Sequence, residues 1–353
     1  MNNKTEKKNQ RGDFSFVEAV KSVTADINSR ARDILAKRFG FGEKKGLTLS
    51  QIGDEYGITR ERVRQIIQES LNKVKKKAKT DELFQKAEEI ARFTVESEYG
   101  IIAKEELKRN VLAEQEKEYN FVDFIVHCSE ELSEIALKGK IREAVVLNDF
   151  DLSRWEHLHS VAGEILKKKN EAIKTGHFFK EFSQESEIDF AEDEFLSYLR
   201  VSENIQRNVF DKWGLREWRE ISPKGTRQKA YLVMKEIGRP LHFREVADLI
   251  YKLGLNKKEA HPQTVHNELI KDDKFVLVGR GIYALKEWGY RSGTVKDVIE
   301  NILKSKQNPV HRDEIVKEVL SVRDVKKATV IINLNNFFEK RDSRLYALKK
   351  NNK

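Results

Sequence analysis

Hydrophobic positions recur at three- and four-residue intervals through most of this chain, so its pattern predicts helices with short apolar runs between them. The clearest case is TLSQIGDEYGITRERVRQIIQESLNKVKK, residues 48–77. Thr48 followed by Gln51 makes a capping box, and Leu49, Ile52 and Tyr56 then fall on one helical face. Gly57 supplies a left-handed stop. Thr59 caps a second helix, in which Val63, Ile66, Ile67, Leu71 and Val74 form the apolar stripe. Arg60, Glu61, Arg64, Gln65 and Gln68 share the opposite face. Two helices joined by a tight turn, the second with a polar outer face, make a helix-turn-helix.

The same periodicity extends outward. Residues 14–27 offer Phe16, Val20 and Val23 to a common core, and residues 30–39 follow as a helix under the reading pair. The glycine-containing FGFGEKKG, residues 39–46, reads as a flexible link. Residues 1–13 are polar, basic and without periodicity, and are expected to be disordered. Beyond Lys77, helical spacing is plain in DELFQKAEEIARF, FVDFIVHCSEELSEIAL and WEHLHSVAGEILKKKNEAI, whereas KIREAVVLND reads as a short strand. Helices and a strand in that order predict one or two degenerate winged-helix units. Trp213 and Trp218 mark a boundary and are expected to anchor a linker on the next domain.

The last 130 or so residues contain a repeat. PLHFREVADLI (240–250) matches PVHRDEIVKEV (309–319), TVHNEL (264–269) matches TVIINL (329–334), and IYALK (282–286) matches LYALK (345–349). Three helices followed by two apolar runs around a polar turn describe a winged helix, written twice. In the first copy Gly279 and Gly281 are expected to thrust Arg280 outward from a hairpin, and the third helix to present Gln263, His266 and Asn267. Leu269, Phe275, Ile282, Tyr283 and Leu285 read as core. His242 and His311, at matching positions, read as helix caps. Lys340, Arg341 and Arg344 occupy the second wing.

Composition narrows the class. In 353 residues, 39% hydrophobic and 35% charged, only four prolines occur, which fits a helix-rich chain of several modules. No run of eighteen apolar residues and no apolar leader occurs, so no membrane association is expected and the location is read as cytoplasmic, at the nucleoid. Charge is unevenly divided: residues 1–80 carry 19 Lys+Arg against 10 Asp+Glu, residues 81–223 carry 20 against 32, and residues 224–353 carry 28 against 16. Two basic ends around an acidic middle suit two nucleic-acid-facing parts on a spacer.

Catalytic and metal chemistry find no constellation. The single Cys128 lies among apolar residues and reads as a small buried hydrophobe. His157, His159 and His177 lack accompanying thiols, and Glu130, Glu131 and Glu192 to Glu194 read as solvated helix faces. A non-enzymatic protein without catalytic residues, metal or cofactor is expected.

The polar face of residues 59–68 is more informative. Arg forks onto guanine, Gln pairs with adenine, and Glu accepts from the cytosine amino group. The run T-R-E-R-x-R-Q within GITRERVRQI resembles region 4 of the sigma-70 family of bacterial transcription initiation factors, and ARDILAKRFGF and TLSQIGDEYGI resemble the rest of that module. The resemblance covers about residues 25–80. It implies that Arg60, Glu61, Arg64 and Gln65 contact promoter DNA and that Arg62 contacts the backbone, an activator or polymerase. Clustered aromatics for capturing an opened strand are not found, so promoter opening by this chain alone is not expected.

KAYLVMKEIGRPLHFREVADLI, HPQTVHNELIKDD and FVLVGRGIYALKEWG together resemble the HARE-HTH domain, a winged helix of the delta subunit of some bacterial RNA polymerases and of certain restriction and chromatin proteins. This resemblance implies nucleic-acid or polymerase association.

The expectation is thus a mainly α, multi-domain chain of tandem helix-turn-helix and winged-helix modules with short β-hairpin wings. Its parts are residues 1–24, a polar tail and lead-in helix; 25–80, the helix-turn-helix; 81–223, the acidic middle; 224–290, the first winged helix; and 291–353, the second. It is expected to bind double-stranded DNA through Thr59, Arg60, Glu61, Arg62, Arg64, Gln65, Gln68, Lys75, Lys76 and Arg280, and to act on transcription initiation with RNA polymerase. A polymerase-associated interaction subunit and a DNA-recognition accessory of a restriction or repair system are the alternatives. Oligomeric state is not legible.

Overall fold

A computed structural model describes residues 14–349 apart from 44, 113–117, 291–292, 307, 324 and 343. The tail expected to be disordered, residues 1–13, lies outside them. The chain divides into two units, Met1–Gln206 and Arg207–Lys353.

The first unit begins with α1 (Phe16–Thr24), α2 (Ser29–Phe39), α3 (Leu49–Tyr56) and α4 (Arg60–Ala78). Ser15, Asn28, Thr48 and Thr59 cap these helices through their side-chain oxygens, so each start is written locally in the sequence. Then follow α5 (Glu82–Glu96), β1 (Ile101–Ala103), α6 (Lys104–Leu112), α7 (Tyr119–Cys128), β2 (Leu132–Leu137) and β3 (Ile141–Leu147). The strands form an antiparallel sheet in the order β1-β3-β2, which completes a winged helix. The elements α8 (Leu152–Lys169), β4 (Ile173–Lys174), α9 (Thr175–Glu185), α10 (Glu192–Arg200), β5 (Ile205–Arg207) and β6 (Lys212–Leu215) repeat that order along the chain.

A single apolar cluster runs from Phe16 through Ile34, Ile52, Val63 and Val74 to Phe84, Phe124 and Val145. The helix-turn-helix and the winged helix after it therefore share one core. Helix α7 lies at its centre, against α1, α2, α4 and α5. Its sequence, YNFVDFIVHC, is apolar nearly all round, as a helix buried on every side must be.

Three expectations need correction here. Residues 39–46 are not a flexible link: Phe41 stacks on Phe121 at 4.7 Å, Phe39 meets Phe124 edge-on at 4.8 Å, and Asn120 Nδ2 donates to the carbonyls of Gly40 and Glu43 at 2.6 and 2.7 Å. The run LSEIAL is strand β2 rather than the end of a helix. The Ser129 hydroxyl accepts from the amides of Glu131 and Leu132 and turns the chain, after which β3 satisfies the backbone. Glu194 is no solvated acid either. It is buried and accepts a two-pronged bond from Arg154 at 2.6 and 3.0 Å, with Arg154 lying 4.0 Å over the Phe190 ring.

In the second unit the repeat is realised as two winged helices. The first comprises α11 (Gly225–Ile237), β7 (Leu241–His242), α12 (Phe243–Lys252), α13 (Pro262–Lys271), β8 (Phe275–Gly279) and β9 (Ile282–Leu285). The second comprises α14 (Val295–Lys306), β10 (Val310–His311), α15 (Arg312–Val322), α16 (Lys327–Phe337), β11 (Glu339–Lys340) and β12 (Leu345–Ala347). Sheets β7-β9-β8 and β10-β12-β11 share one order, and each copy has its own core. His242 and His311 cap as expected, their Nδ1 atoms accepting from the amides of Arg244 and Asp313 at 3.3 Å. Trp213 is a buried residue of β6 rather than part of a linker. Residues 207–223 are held on the following winged helix by Phe210 in its core and by the pairs Lys212–Glu236 (2.6 Å) and Glu220–Lys235 (2.5 Å).

Candidate nucleic-acid interface

The turn between α3 and α4 is set by backbone geometry. Gly57 is left-handed at φ 63°, and its N–H donates to the Gly53 carbonyl. Gly53 sits where the two helices meet: a Cβ there would lie 2.6 Å from the Ile58 carbonyl oxygen. The hydroxyl of Thr48 and the side chain of Gln51 form the reciprocal capping box, and the Thr59 hydroxyl accepts from the Arg62 amide at 3.2 Å. Thr59 thus starts α4. Val63, Ile67, Leu71 and Val74 then fix the roll of α4 by burial in the shared core.

That roll leaves Arg60, Glu61, Arg62, Arg64, Gln65, Gln68, Lys75 and Lys76 all exposed, and Thr59 with them. Nine expected residues therefore lie together on one helix and its cap. Their polar groups are organised in pairs. Arg64 forks onto Glu61, with Nε at 2.9 Å from Oε2 and Nη2 at 2.7 Å from Oε1. Arg62 Nη1 donates to Gln65 Oε1 at 3.1 Å, and Gln68 Nε2 donates to Asn72 Oδ1 at 3.3 Å. The Arg64 guanidinium holds the Glu61 carboxyl below the usual carboxylate value, and Glu61 raises Arg64 in return. The guanidinium is thereby held extended along the face, with Nη1 left for an outside acceptor.

Asn72 was missed by the sequence reading. Its signal was available, four residues on from Gln68 and seven from Gln65. Arg60, Lys75 and Lys76 make no hydrogen bond or ion pair among the described residues, which leaves cations at both ends of the face for phosphates. Lys77 is engaged with Asp26 at 3.0 Å.

Helices α7 and α10, which hold the equivalent place in the units that follow, are differently employed. In α7, Phe121, Val122, Phe124, Ile125 and Val126 are buried. In α10, Phe195, Tyr198 and Leu199 are buried, Ser197 and Arg200 engage Glu98 at 2.7 Å each, and the first turn is acidic. The β2–β3 wing is occupied as well: the Gly139 amide donates to Glu203 Oε2 at 2.7 Å and the Glu203 amide to the Lys140 carbonyl at 2.8 Å. Neither helix offers a free polar face to a groove.

Arg280 stands on the second unit, exposed at the tip of the β8–β9 hairpin. Gly281 is left-handed at φ 72°, and a Cβ on it would lie 2.6 Å from His242 Nε2. Gly279 needs no such conformation and marks instead a shift of register in the hairpin. On α13, Gln263 and Asn267 are exposed and bonded at 3.2 Å, whereas His266 is half-buried between Phe243 and Tyr283. Leu269, Phe275, Tyr283 and Leu285 are core and Ile282 is half-buried. Among the described residues no cluster of His, Cys, Asp or Glu is arranged to hold a metal. Cys128 is buried, and burial pushes its thiol up to about 12.

Comparison with known families agrees with this geometry at two places. The family model "Sigma-70, region 4" matches residues 25–76, and that of HARE-HTH, a restriction endonuclease HTH domain family, matches residues 226–288. The chain joins a sigma region 4-like helix-turn-helix to a HARE-HTH domain. Both are DNA-binding helix-turn-helix modules. The region 4-like match takes in α2, α3 and nearly all of α4, and so includes every expected residue on that helix. The HARE-HTH match spans α11 to the end of β9 and includes Arg280. No helix among the described residues is long and apolar enough to cross a membrane.

Proposed function

We propose that this protein is a DNA-binding regulator that reads duplex sequence through α4 and acts on transcription initiation together with RNA polymerase. Glu61, Arg64, Gln65 and Gln68 address base edges, Arg60, Arg62, Lys75 and Lys76 address phosphates, and Thr59 sets the start of the helix. Arg280 reaches a phosphate or minor groove from the HARE-HTH wing. The observation that carries this reading is that α4 keeps a whole polar face uncovered while α7 and α10 bury theirs. Polymerase enters through the region 4 likeness.

Glu61 gives the sharpest test, because a carboxylate repels phosphate. Glu61→Ala in the full-length protein should raise affinity for arbitrary duplexes yet relax base preference at one position, costing roughly 1–3 kcal/mol of discrimination there. Randomised-duplex selection with wild type and variant measures both effects. Identical base preferences with a change only in overall affinity would remove α4 from sequence reading.

A further inference from the structure

The second copy of the C-terminal repeat, residues 291–353, lies outside both family matches yet keeps an uncovered third helix. On α16, Val330 and Leu334 face the core. Ala328, Thr329, Ile332, Asn335 and Asn336 recur at helical spacing on the opposite side, and all are exposed. Ile332 is 57% exposed although the matching residue of the first copy is the polar Asn267.

This stripe carries no charge, and cations bracket it. Lys326 and Lys327 stand at the helix start, and Lys340 and Arg344 on the wing, all exposed. None of these four side chains makes an ion pair among the described residues. The Arg344 carbonyl accepts from the Arg312 amide at 2.7 Å, which pins the wing at the base of α15. Asn335 spends its Oδ1 on the Tyr346 hydroxyl at 2.6 Å and keeps its amide hydrogens, while the Asn336 side chain is unbonded among the described residues.

We infer that α16 is a second duplex-reading helix and that its ligand is A·T-rich DNA. Methyl and aliphatic groups at 328, 329 and 332 match the thymine C5-methyl, and an unbonded Asn amide pairs with the N6 and N7 of adenine. No side chain of the stripe supplies the Arg or Lys fork that guanine takes. The narrow minor groove of A·T runs attracts arginine and lysine, which the wing provides as Arg344 and Lys340. Neutral centre and cationic flanks thus match bases between two phosphate strands. This goes beyond the reading of α4 and does not rest on it.

The test uses full-length protein and three duplexes of equal length: adenine-thymine, the same with deoxyuracil for thymine, and guanine-cytosine. Loss of one buried methyl contact weakens binding about four-fold. Wild type should bind in the order thymine, uracil, guanine-cytosine. Ile332→Asn should shrink the thymine-to-uracil ratio by that factor, and Asn336→Ala should lower adenine-thymine binding without touching the ratio. Repeating the series with Arg64→Ala silences α4, so whatever discrimination persists belongs to α16, and failure of the α4 reading shows up separately. If Ile332→Asn retains the full ratio in both backgrounds, the inference is overturned. Unchanged affinity for all three duplexes overturns it too, and makes Ile332 a contact for another protein.

Discussion

At the residue scale, the titrating groups separate those that face water from those that hold the core. Glu61 and Arg64 are fully exposed, so their pairing orders a surface rather than stabilising the fold. Replacing Lys75 or Lys76 by Ala should weaken binding to all duplexes about equally and flatten the salt dependence, unlike Glu61→Ala; affinity measured against salt concentration checks this. His159 behaves differently. It is stacked on Trp155 at 4.7 Å and bonded to Ser202, and burial lowers its pKa below the ordinary 6.5. Between the lowered folded value and 6.5 the unfolded chain binds the extra proton. Stability is therefore expected to fall as pH drops through and below 6.5, and His159→Asn should flatten that decline in melting curves recorded from pH 7 to pH 5. Cys128, with its thiol pushed up to about 12, should resist a thiol reagent in the native protein at pH 8 and react once the chain is unfolded.

At the element scale, the two close approaches of backbone give the cleanest stability predictions. Gly53→Ala places a Cβ 2.6 Å from a carbonyl that the turn itself fixes, and Gly281→Ala adds a left-handed backbone to a clash with the His242 cap. Each should cost about 1–3 kcal/mol in denaturant unfolding. Such positions were legible in sequence because their causes are local: caps, a glycine stop and a stripe of valines and isoleucines all lie within one turn of what they control. The histidine caps at 242 and 311 were legible through the repeat. What the sequence concealed depends on partners far along the chain. Asn120 holds residues 39–46 from about eighty positions away, and Arg154 meets Glu194 forty positions on. The stretch LSEIAL satisfies both helical and strand periods, and pairing with β3 decided between them. Nothing in the reading face itself told that Arg64 would fork onto Glu61 rather than point away, since both rotamers suit an exposed helix.

At the scale of the whole molecule, the shared core between the helix-turn-helix and its neighbour governs which pieces can stand alone. Residues 1–80 leave Phe16, Val20 and Val23 without Phe84 and Phe124 to pack on. A fragment ending at 80 is expected to show no cooperative melt by circular dichroism, whereas one ending at 206 should melt cooperatively. Core polymerase supplied with this protein and no separate initiation factor should yield no open complex on linear promoter DNA, and permanganate footprinting of the start site checks that. The burial of α7 has a thermodynamic consequence as well. Because the reading helix is bolted to a pre-packed neighbour, no segment of it has to order itself when a duplex arrives. Calorimetry of the first unit should then return a heat-capacity change on binding accounted for by the area of contact alone, without the larger negative increment that accompanies folding upon association.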